Sequence, residues 1–251
     1  MSLTSSTISR RRILRGAVVL GAGAVAGPAL FASAAQAYNW GGTLQQGSTG
    51  AAVTELQIRV AGWAADAGNK SHVRVGLDGD FGPGTAAAVK RFQAAYGLGA
   101  DGVAGPNTQA KLNALEDSDG STEHFDWSEF WDQSAHNFNA GKLSAAATKE
   151  NCRRTMYKLE ALRKKLGNRS ITVNSGFRSI QHNADIGGAS DSMHLYGHAA
   201  DLNVPGLSNE VVYRTAQTCG FSGLETWKTD HQHVDARADQ GRDWWWQVGA
   251  I

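Results

Sequence analysis

Cysteine is nearly absent: Cys152 and Cys219 are the two in a chain of 251 residues. Neither sits in a Cys-x-x-Cys pair or another metal spacing, which makes both poor ligand candidates. An excess of one charge is missing too. With 24 basic and 23 acidic residues the formal charge is +1, and nothing in that balance points to a nucleic-acid partner. The composition of a disordered chain is likewise absent, since 41% of residues are hydrophobic and 19% charged. The length allows one large domain or two modest ones.

What is present begins with a leader. Ser9-Arg10-Arg11-Arg12-Ile13-Leu14-Arg15 precedes an uncharged run from Gly16 to Ala37 that ends in Ala35-Gln36-Ala37, a small-x-small cleavage pattern. This is the pattern of a signal peptide over residues 1–37, and its arginine pair before a Gly/Ala-rich core resembles a twin-arginine export signal. A retained anchor is disfavoured because Gly residues and Pro28 interrupt the run. The mature chain is expected to start near Tyr38, without a membrane span, secreted or held at the cell wall. Four basic residues leave with the leader, so 20 remain against 23 acidic ones, a net −3. An oxidising exterior leads us to expect a Cys152–Cys219 disulfide, the alternative being two buried free thiols.

Residues 38–115 read as three short helices: Ala52, Val53, Leu56 and Val60 lie at helical spacing, as do Ala88, Val89, Phe92 and Ala95, and less strictly Ala110, Leu112 and Leu115. A turn repeats between them. Asp78-Gly79-Asp80-Phe81-Gly82-Pro83-Gly84-Thr85 precedes the second helix and Asp101-Gly102-Val103-Ala104-Gly105-Pro106-Asn107-Thr108 the third. Asp-Gly makes each turn, Pro stiffens it, and Thr85 and Thr108 read as N-caps. Together with Gly47-Ser48-x-Gly50, Val53-x-x-Leu56-Gln57 and Ala88-Val89-x-x-Phe92-Gln93, these residues resemble the three-helix peptidoglycan-binding domain. That resemblance implies peptidoglycan as a partner; Leu56, Val89 and Phe92 read as core in preference to ligand contacts because they fall on the buried stripe. The acidic, small-residue stretch that follows reads as a linker over 116–123.

From residue 124 to 251 a second domain is expected, with an aromatic-rich start (Asp126-Trp127-Ser128-Glu129-Phe130-Trp131) lying against the main body. Ala146 to Leu166 reads as a helix ending at Gly167, Ile171 to Val173 as a strand, Asn209 to Cys219 as a helix closed by Gly220, and His231 to Ala236 as a strand. Helices and strands without regular alternation indicate an α+β fold. Trp244-Trp245-Trp246 reads as a terminal strand or helix packed on the domain, in preference to a sugar-stacking platform.

Histidine carries the chemistry. His194, His198, His231 and His233 fall in two short segments with Asp201 and Asp230 beside them, and converging imidazole and carboxylate is what zinc requires. His194 with His198 would make a helical pair in the manner of His-Glu-x-x-His enzymes, but Leu195 stands where the Glu belongs and Gly197 weakens a helix. His194 with Asp201 is the better pair. In the second segment alternation puts His231, His233 and Asp235 on one face and does not name the ligand. Asp230 joins such a site only from the bent start of the strand. His72, His124, His136 and His182 have no near partner in sequence, and for the first three a surface role is the expectation.

The ordered set Ser175-Gly176-Phe177-Arg178-Ser179, His182-Asn183, Gly187-Gly188-Ala189, Ser192-x-His194-x-x-Gly197-x-Ala199-x-Asp201 and Asp230-His231-x-His233 resembles the zinc D-Ala-D-Ala carboxypeptidase family. That family's fold is related to the Hedgehog signalling domain, and it includes peptidoglycan endopeptidases. The resemblance implies one zinc ion held by His194, Asp201 and His233, Asp230 as general base and acid, and Arg178 as the group that binds substrate or stabilises the transition state. His231 is either an oxyanion donor or a plain strand residue, and His198 a neighbour of the site more than a ligand. Ser192 either bonds substrate or caps a turn. The implied activity is hydrolysis of a peptide bond in peptidoglycan by a monomeric enzyme.

Overall fold

Two glutamines organise the helical region, one for each repeat. The computed structural model describes residues 38–66, 73–225 and 230–246; the leader read at 1–37, and His72, lie outside them. Gln57, on α1 (Ala51–Val60), donates to Asp78 Oδ1 (2.7 Å), the Asp80 carbonyl (3.0 Å) and Thr85 Oγ1 (3.2 Å), and its Oε1 accepts from Gly79 N–H (2.9 Å). Gln93, on α2 (Pro83–Ala95), repeats all four contacts with Asp101, Val103, Thr108 and Gly102 ahead of α3 (Pro106–Asn113). The duplicated turn is therefore a duplicated hydrogen-bond cage, with Gly79 and Gly102 at the positive φ (76° and 80°) that each turn requires.

The threonine N-caps are corrected by this arrangement. Gly82 and Gly105 cap the two helices, and Pro83 and Pro106 take the first helical positions, where a missing N–H leaves no bond unmade. Thr85 and Thr108 fall in the first turn, buried, with their hydroxyl oxygens accepting from Nε2 of the two glutamines. Val53, Leu56, Val89, Phe92 and Leu112 form the core of the region and are excluded from solvent.

Residues 116–123, expected as a linker, close on themselves. Glu116 bridges Thr122, Asp117 N–H donates to the Ser121 carbonyl (2.9 Å), and both Ser121 and Thr122 are buried. A short helix α4 (Trp127–Phe130) follows behind an Asp126–Glu129 capping box. The long helix α5 (Ala145–Lys165) starts at Ser144, whose hydroxyl accepts from Ala147 N–H (3.3 Å). Its Cys152, Met156, Leu159 and Leu162 enter one core while Tyr157 and Ala161 enter the core of the helical region. One helix thus serves both cores.

The remainder alternates short elements: β1 (Thr172–Ser175), α6 (Ile180–Asp185), β2 (Ala199–Asn203), α7 (Asn209–Ala216), β3 (Gly223–Leu224), β4 (Gln232–Asp235) and β5 (Trp245–Trp246). They build a five-stranded sheet in the order β1-β2-β4-β3-β5, antiparallel except between β3 and β5. The architecture is α+β, helical first and then a mixed helix and antiparallel-sheet domain. The terminal tryptophans supply an edge strand. No helix among the described residues is long and apolar enough to cross a membrane.

The expected disulfide is also corrected: Cys152 and Cys219 are free and buried. Cys152 lies in α5 against the Gly197 turn, whereas Cys219 lies beyond α7 with its thiol directed to the Thr215 carbonyl (3.5 Å). Burial pushes both thiols up from their ordinary range, so neither is a ready thiolate.

Candidate metal centre

Strand register brings two of the donors together. Asp201 on β2 is paired directly with His233 on β4, and the two side chains meet with His233 Nδ1 2.8 Å from Asp201 Oδ1. The third donor, His194, comes from a 3-10 turn, Met193–Tyr196, closed by Gly197 at φ 75°. A side chain at Gly197 would meet the Thr148 carbonyl at 2.5 Å and Cys152 Sγ at 3.0 Å, so the turn lies flat on α5 and His194 is carried over the sheet. His194 Nδ1–H donates to the Gly176 carbonyl (2.5 Å), which leaves the Nε2 lone pair facing the other donors.

The three donor atoms are mutually close. His194 Nε2 is 3.2 Å from His233 Nδ1 and 3.2 Å from Asp201 Oδ1. Tetrahedral zinc with arms of about 2.0–2.1 Å separates its ligand atoms by roughly 3.3 Å. Two nitrogens and one carboxylate oxygen at this spacing fit zinc in identity and in geometry. All three residues are buried.

Electrostatics follow from that crowding. Burial holds His194 below the usual histidine range, favouring the neutral ring that a metal needs. For His233 burial acts the same way, but hydrogen bonds to the Asp201 and Asp235 carboxylates outweigh it and raise the group to about 9. Asp201 goes far below the usual carboxylate range: burial opposes this, and the facing His194 and His233 overcome it. Without a cation, His233 therefore keeps a proton that relieves two facing nitrogen lone pairs.

A second layer orients the donors. Asp235, buried without exposure, takes His233 Nε2–H at 3.2 Å and is itself held by Arg237 Nη2 at 2.6 Å and Nε at 3.0 Å. Its carboxylate occupies the space a side chain at Gly223 would need, 2.3 Å from that position. Fixing the Nε2 tautomer aims Nδ1 at the metal position. Sequence reasoning missed this role, although Asp235 is two residues from His233 and on the same strand face.

The other expected site residues divide. Arg178 reaches the centre, pairing Nη2 with Asp201 Oδ2 while its Nε donates to Ser175 Oγ (2.8 Å). His231 stands at the edge, its Nε2 3.7 Å from Asp201 Oδ1. Asp230 does not join the donor cluster. It lies just before β4 with its side chain 94% exposed, and its carboxylate accepts from His231 Nδ1 at 2.7 Å. His198 is turned away: buried, its Nε2 lies 2.8 Å from Gln240 Nε2, and burial lowers it to about 4. Ser192 makes no side-chain cap to its turn.

Two family models match the chain, Peptidase M15 over residues 123–235 and a peptidoglycan binding domain over 49–112. The zinc D-Ala-D-Ala carboxypeptidase of Streptomyces albus G is 42% identical over 232 residues, 88% of each chain. The chain belongs to the Peptidase M15 family. Its relatives in that family are zinc metallopeptidases, in keeping with the donor set here. The helical region has further relatives: the N-acetylmuramoyl-L-alanine amidase CwlL of Bacillus licheniformis is 46% identical over 68 residues, 26% of this chain and 18% of that one. Among solved structures, the SleB N-terminal domain aligns at 36% identity over 28% of this chain and 86% of its own, with a TM-score of 0.23.

Proposed function

We propose that this M15 peptidase is a zinc-dependent D-Ala-D-Ala carboxypeptidase acting on the stem peptides of peptidoglycan. The observation that carries the reading is the convergence of His194 Nε2, Asp201 Oδ1 and His233 Nδ1 within 3.2 Å, in a chain 42% identical to a carboxypeptidase of that name. His194, Asp201 and His233 would hold the metal. When bound, zinc supplies a Lewis acid and brings a water molecule toward ionisation near neutral pH.

The remaining roles belong to the chain's own side chains. Arg178, with Nε and Nη2 engaged by Ser175 and Asp201, offers Nη1 to a substrate carboxylate or to the oxygen that gains charge. Asp230, solvated at the mouth and touching His231, takes the proton of the attacking water and delivers one to the leaving amine. His231, with Nδ1–H given to Asp230, steadies the same oxygen as Arg178 when its Nε2 also carries a proton. Residues 38–115 bind the wall, residues 124–251 cut it, and residues 1–37 direct export through the twin-arginine route, so that the enzyme works secreted at the cell wall as a monomer.

The test is incubation of the zinc-loaded chain with a stem pentapeptide and with cross-linked stem dimers, with products identified by mass. Release of terminal D-Ala from the pentapeptide is the expected result. Cleavage confined to the dimers makes the enzyme an endopeptidase, and full zinc occupancy without cleavage of either makes it a wall-binding protein. Asp230→Ala should keep zinc and lose turnover, whereas His233→Ala should lose the metal; zinc loss in the first overturns the base assignment.

A further inference from the structure

A cleft of about 590 Å³ lies between the loop around residues 131–139 and the start of α5, lined by Trp127, Trp131, His136 and Phe138, with Asp119 and Asn137 among its polar groups. The volume falls in the range of small-ligand sites. Its walls are aromatic and held in place. Trp127 packs edge-on against Phe138 (5.8 Å, 86°), carries Lys149 Nζ over its ring at 4.2 Å, and donates Nε1–H to the Asp119 carbonyl (3.1 Å). Trp131 lies 5.5 Å from the His136 ring.

The loop that builds this cleft is strained and specifically supported. His136 and Ala140 adopt φ 53° and 59°, a left-handed conformation uncommon outside glycine that persists only where its surroundings enforce it. The support is Asp132, buried without exposure. One carboxylate oxygen accepts from Ser134 N–H (2.8 Å) and Ala135 N–H (2.9 Å), and the other from Ser179 N–H (2.6 Å). Its backbone carbonyl accepts from His136 N–H at 2.7 Å. One buried residue thus shapes the cleft loop and pins it to the segment bearing Arg178.

The loop that lines the cleft is also tied to the segments that carry Arg178 and His194. Phe138 packs 6.1 Å from Phe177, the residue before Arg178, the Ala140 carbonyl accepts from Ile180 N–H (2.8 Å), and Lys142 N–H donates to the Leu195 carbonyl (2.9 Å), beside His194. A stem of about five residues spans up to roughly 17 Å when extended. Trp131 follows Phe130, whose carbonyl accepts from Phe177 N–H (2.7 Å) beside Arg178, so a stem whose free end meets Arg178 is long enough to carry its sugar to this cleft.

We propose that the cleft is a sugar subsite, taking the N-acetylated hexosamine to which the stem peptide is attached. Sugar rings present apolar C–H faces and polar edges. The half-buried indoles of Trp127 and Trp131 and the exposed His136 ring match the faces, and the carboxylate and carboxamide groups of the lining match the hydroxyl and acetamido edges. A purely apolar guest would leave those polar groups facing hydrocarbon. This inference rests on the peptidase reading for the identity of the substrate.

The experiment compares kcat/KM of the full zinc-loaded chain on a bare stem pentapeptide and on the same pentapeptide carrying its N-acetylglucosaminyl-N-acetylmuramyl disaccharide. Wild type should favour the sugar-bearing substrate by about tenfold, the size of one aromatic stacking contact. Trp131→Ala should remove that preference while leaving the bare peptide unchanged. Ala146→Phe, which fills the cleft from an exposed face of α5 without deleting a contact, should do the same and guards against misfolding. An equal rate on both substrates in wild type, or a preference that survives both variants, overturns the subsite. Should wild type cleave neither substrate, the peptidase reading fails on its own. Calorimetric titration of the free disaccharide into wild type and Trp131→Ala then decides: weaker binding in the variant supports the subsite, and equal binding overturns it.

Discussion

Replacing Asp235 by Asn tests the metal centre through a residue that touches neither zinc nor substrate. Asp235 is buried, accepts Nε2–H of His233 at 3.2 Å, and is clamped by Arg237. Asn keeps its shape but removes the charge that makes Nδ1 of His233 a stronger donor. Loss of such a carboxylate behind a histidine ligand costs about 10- to 100-fold in metal affinity. The size should depend on pH. In the wild type His233 titrates at about 9, so at about pH 7 its proton competes with zinc and lowers apparent affinity by roughly 100-fold. Asp235 is one of the two carboxylates that raise His233, so Asp235→Asn relieves part of this competition while weakening the donor. The variant's deficit should therefore be small at about pH 7 and grow toward about pH 9.5, where the ring is largely deprotonated in both proteins. Zinc competition against a chelator over this range measures it, alongside urea unfolding of the metal-free forms. A deficit that stays constant with pH, or none at all, refutes the assigned proton and the orienting role.

Asp132 carries an acid-stability prediction: burial would raise it, but N–H donors led by Ser179 lower it to about 2. A lowered folded value contributes stability that is present above the unfolded value of about 3.9 and is lost as pH falls toward 2. Wild type should therefore exceed Asp132→Asn in urea midpoint near neutrality by an amount worth about 1–3 kcal/mol, and the gap should narrow below about pH 4 and close toward about pH 2; a gap that persists undiminished at about pH 2 refutes the assignment. Gln57→Leu and Gln93→Leu each orphan a buried glycine N–H and should each lower unfolding stability by about 1–3 kcal/mol, whereas a loss from only one would break the equivalence of the two cages. Gly62→Val would put Cβ 2.4 Å from Ala161 Cβ and 2.9 Å from Lys158 Cα, which predicts a stability loss of about 1–3 kcal/mol by thermal denaturation; an unchanged midpoint would show that the seam gives way.

The legible parts of the chain were those whose signal is local. Helical spacing marked α1, α2 and α5, and Gly with Pro marked the repeated turns. The caps were misread because Pro83 and Thr85 both suit a helix start, and only the Gln57 contact reveals where the hydroxyl goes. Around the site, alternation along β4 could not choose between His231 and His233. Strand register sets His233 opposite Asp201, and register between strands 32 residues apart is not written in either one. Asp132 and Asp235 were invisible for the same reason. A buried carboxylate and a surface carboxylate read alike until the partners, Ser179 and His233, arrive from elsewhere in the chain.

How the helical region meets the catalytic one changes what wall binding can contribute. A flexible tether raises local substrate concentration without fixing orientation. Here residues 116–123 are a closed turn, and the junction is a buried seam along α5. Gly62 lies against Ala161, Glu55 bridges Arg59 on α1 and Arg153 on α5 (2.6 and 2.8 Å), and Lys165 Nζ gathers the carbonyls of Gly62, Ala65 and Thr218 within 3.2 Å. Arg59, 2% exposed, also meets Glu116 and lies over the rings of Tyr38, Trp40 and Tyr157. Charges buried to this degree are costly to separate, because parting them leaves each unpaired. Small glycine contacts and a desolvated ion-pair network hold the two regions in one orientation, so a glycan bound by the helices would meet the metal centre along a fixed line. Under the proposed wall binding, the helices would select which stems are presented as well as how often.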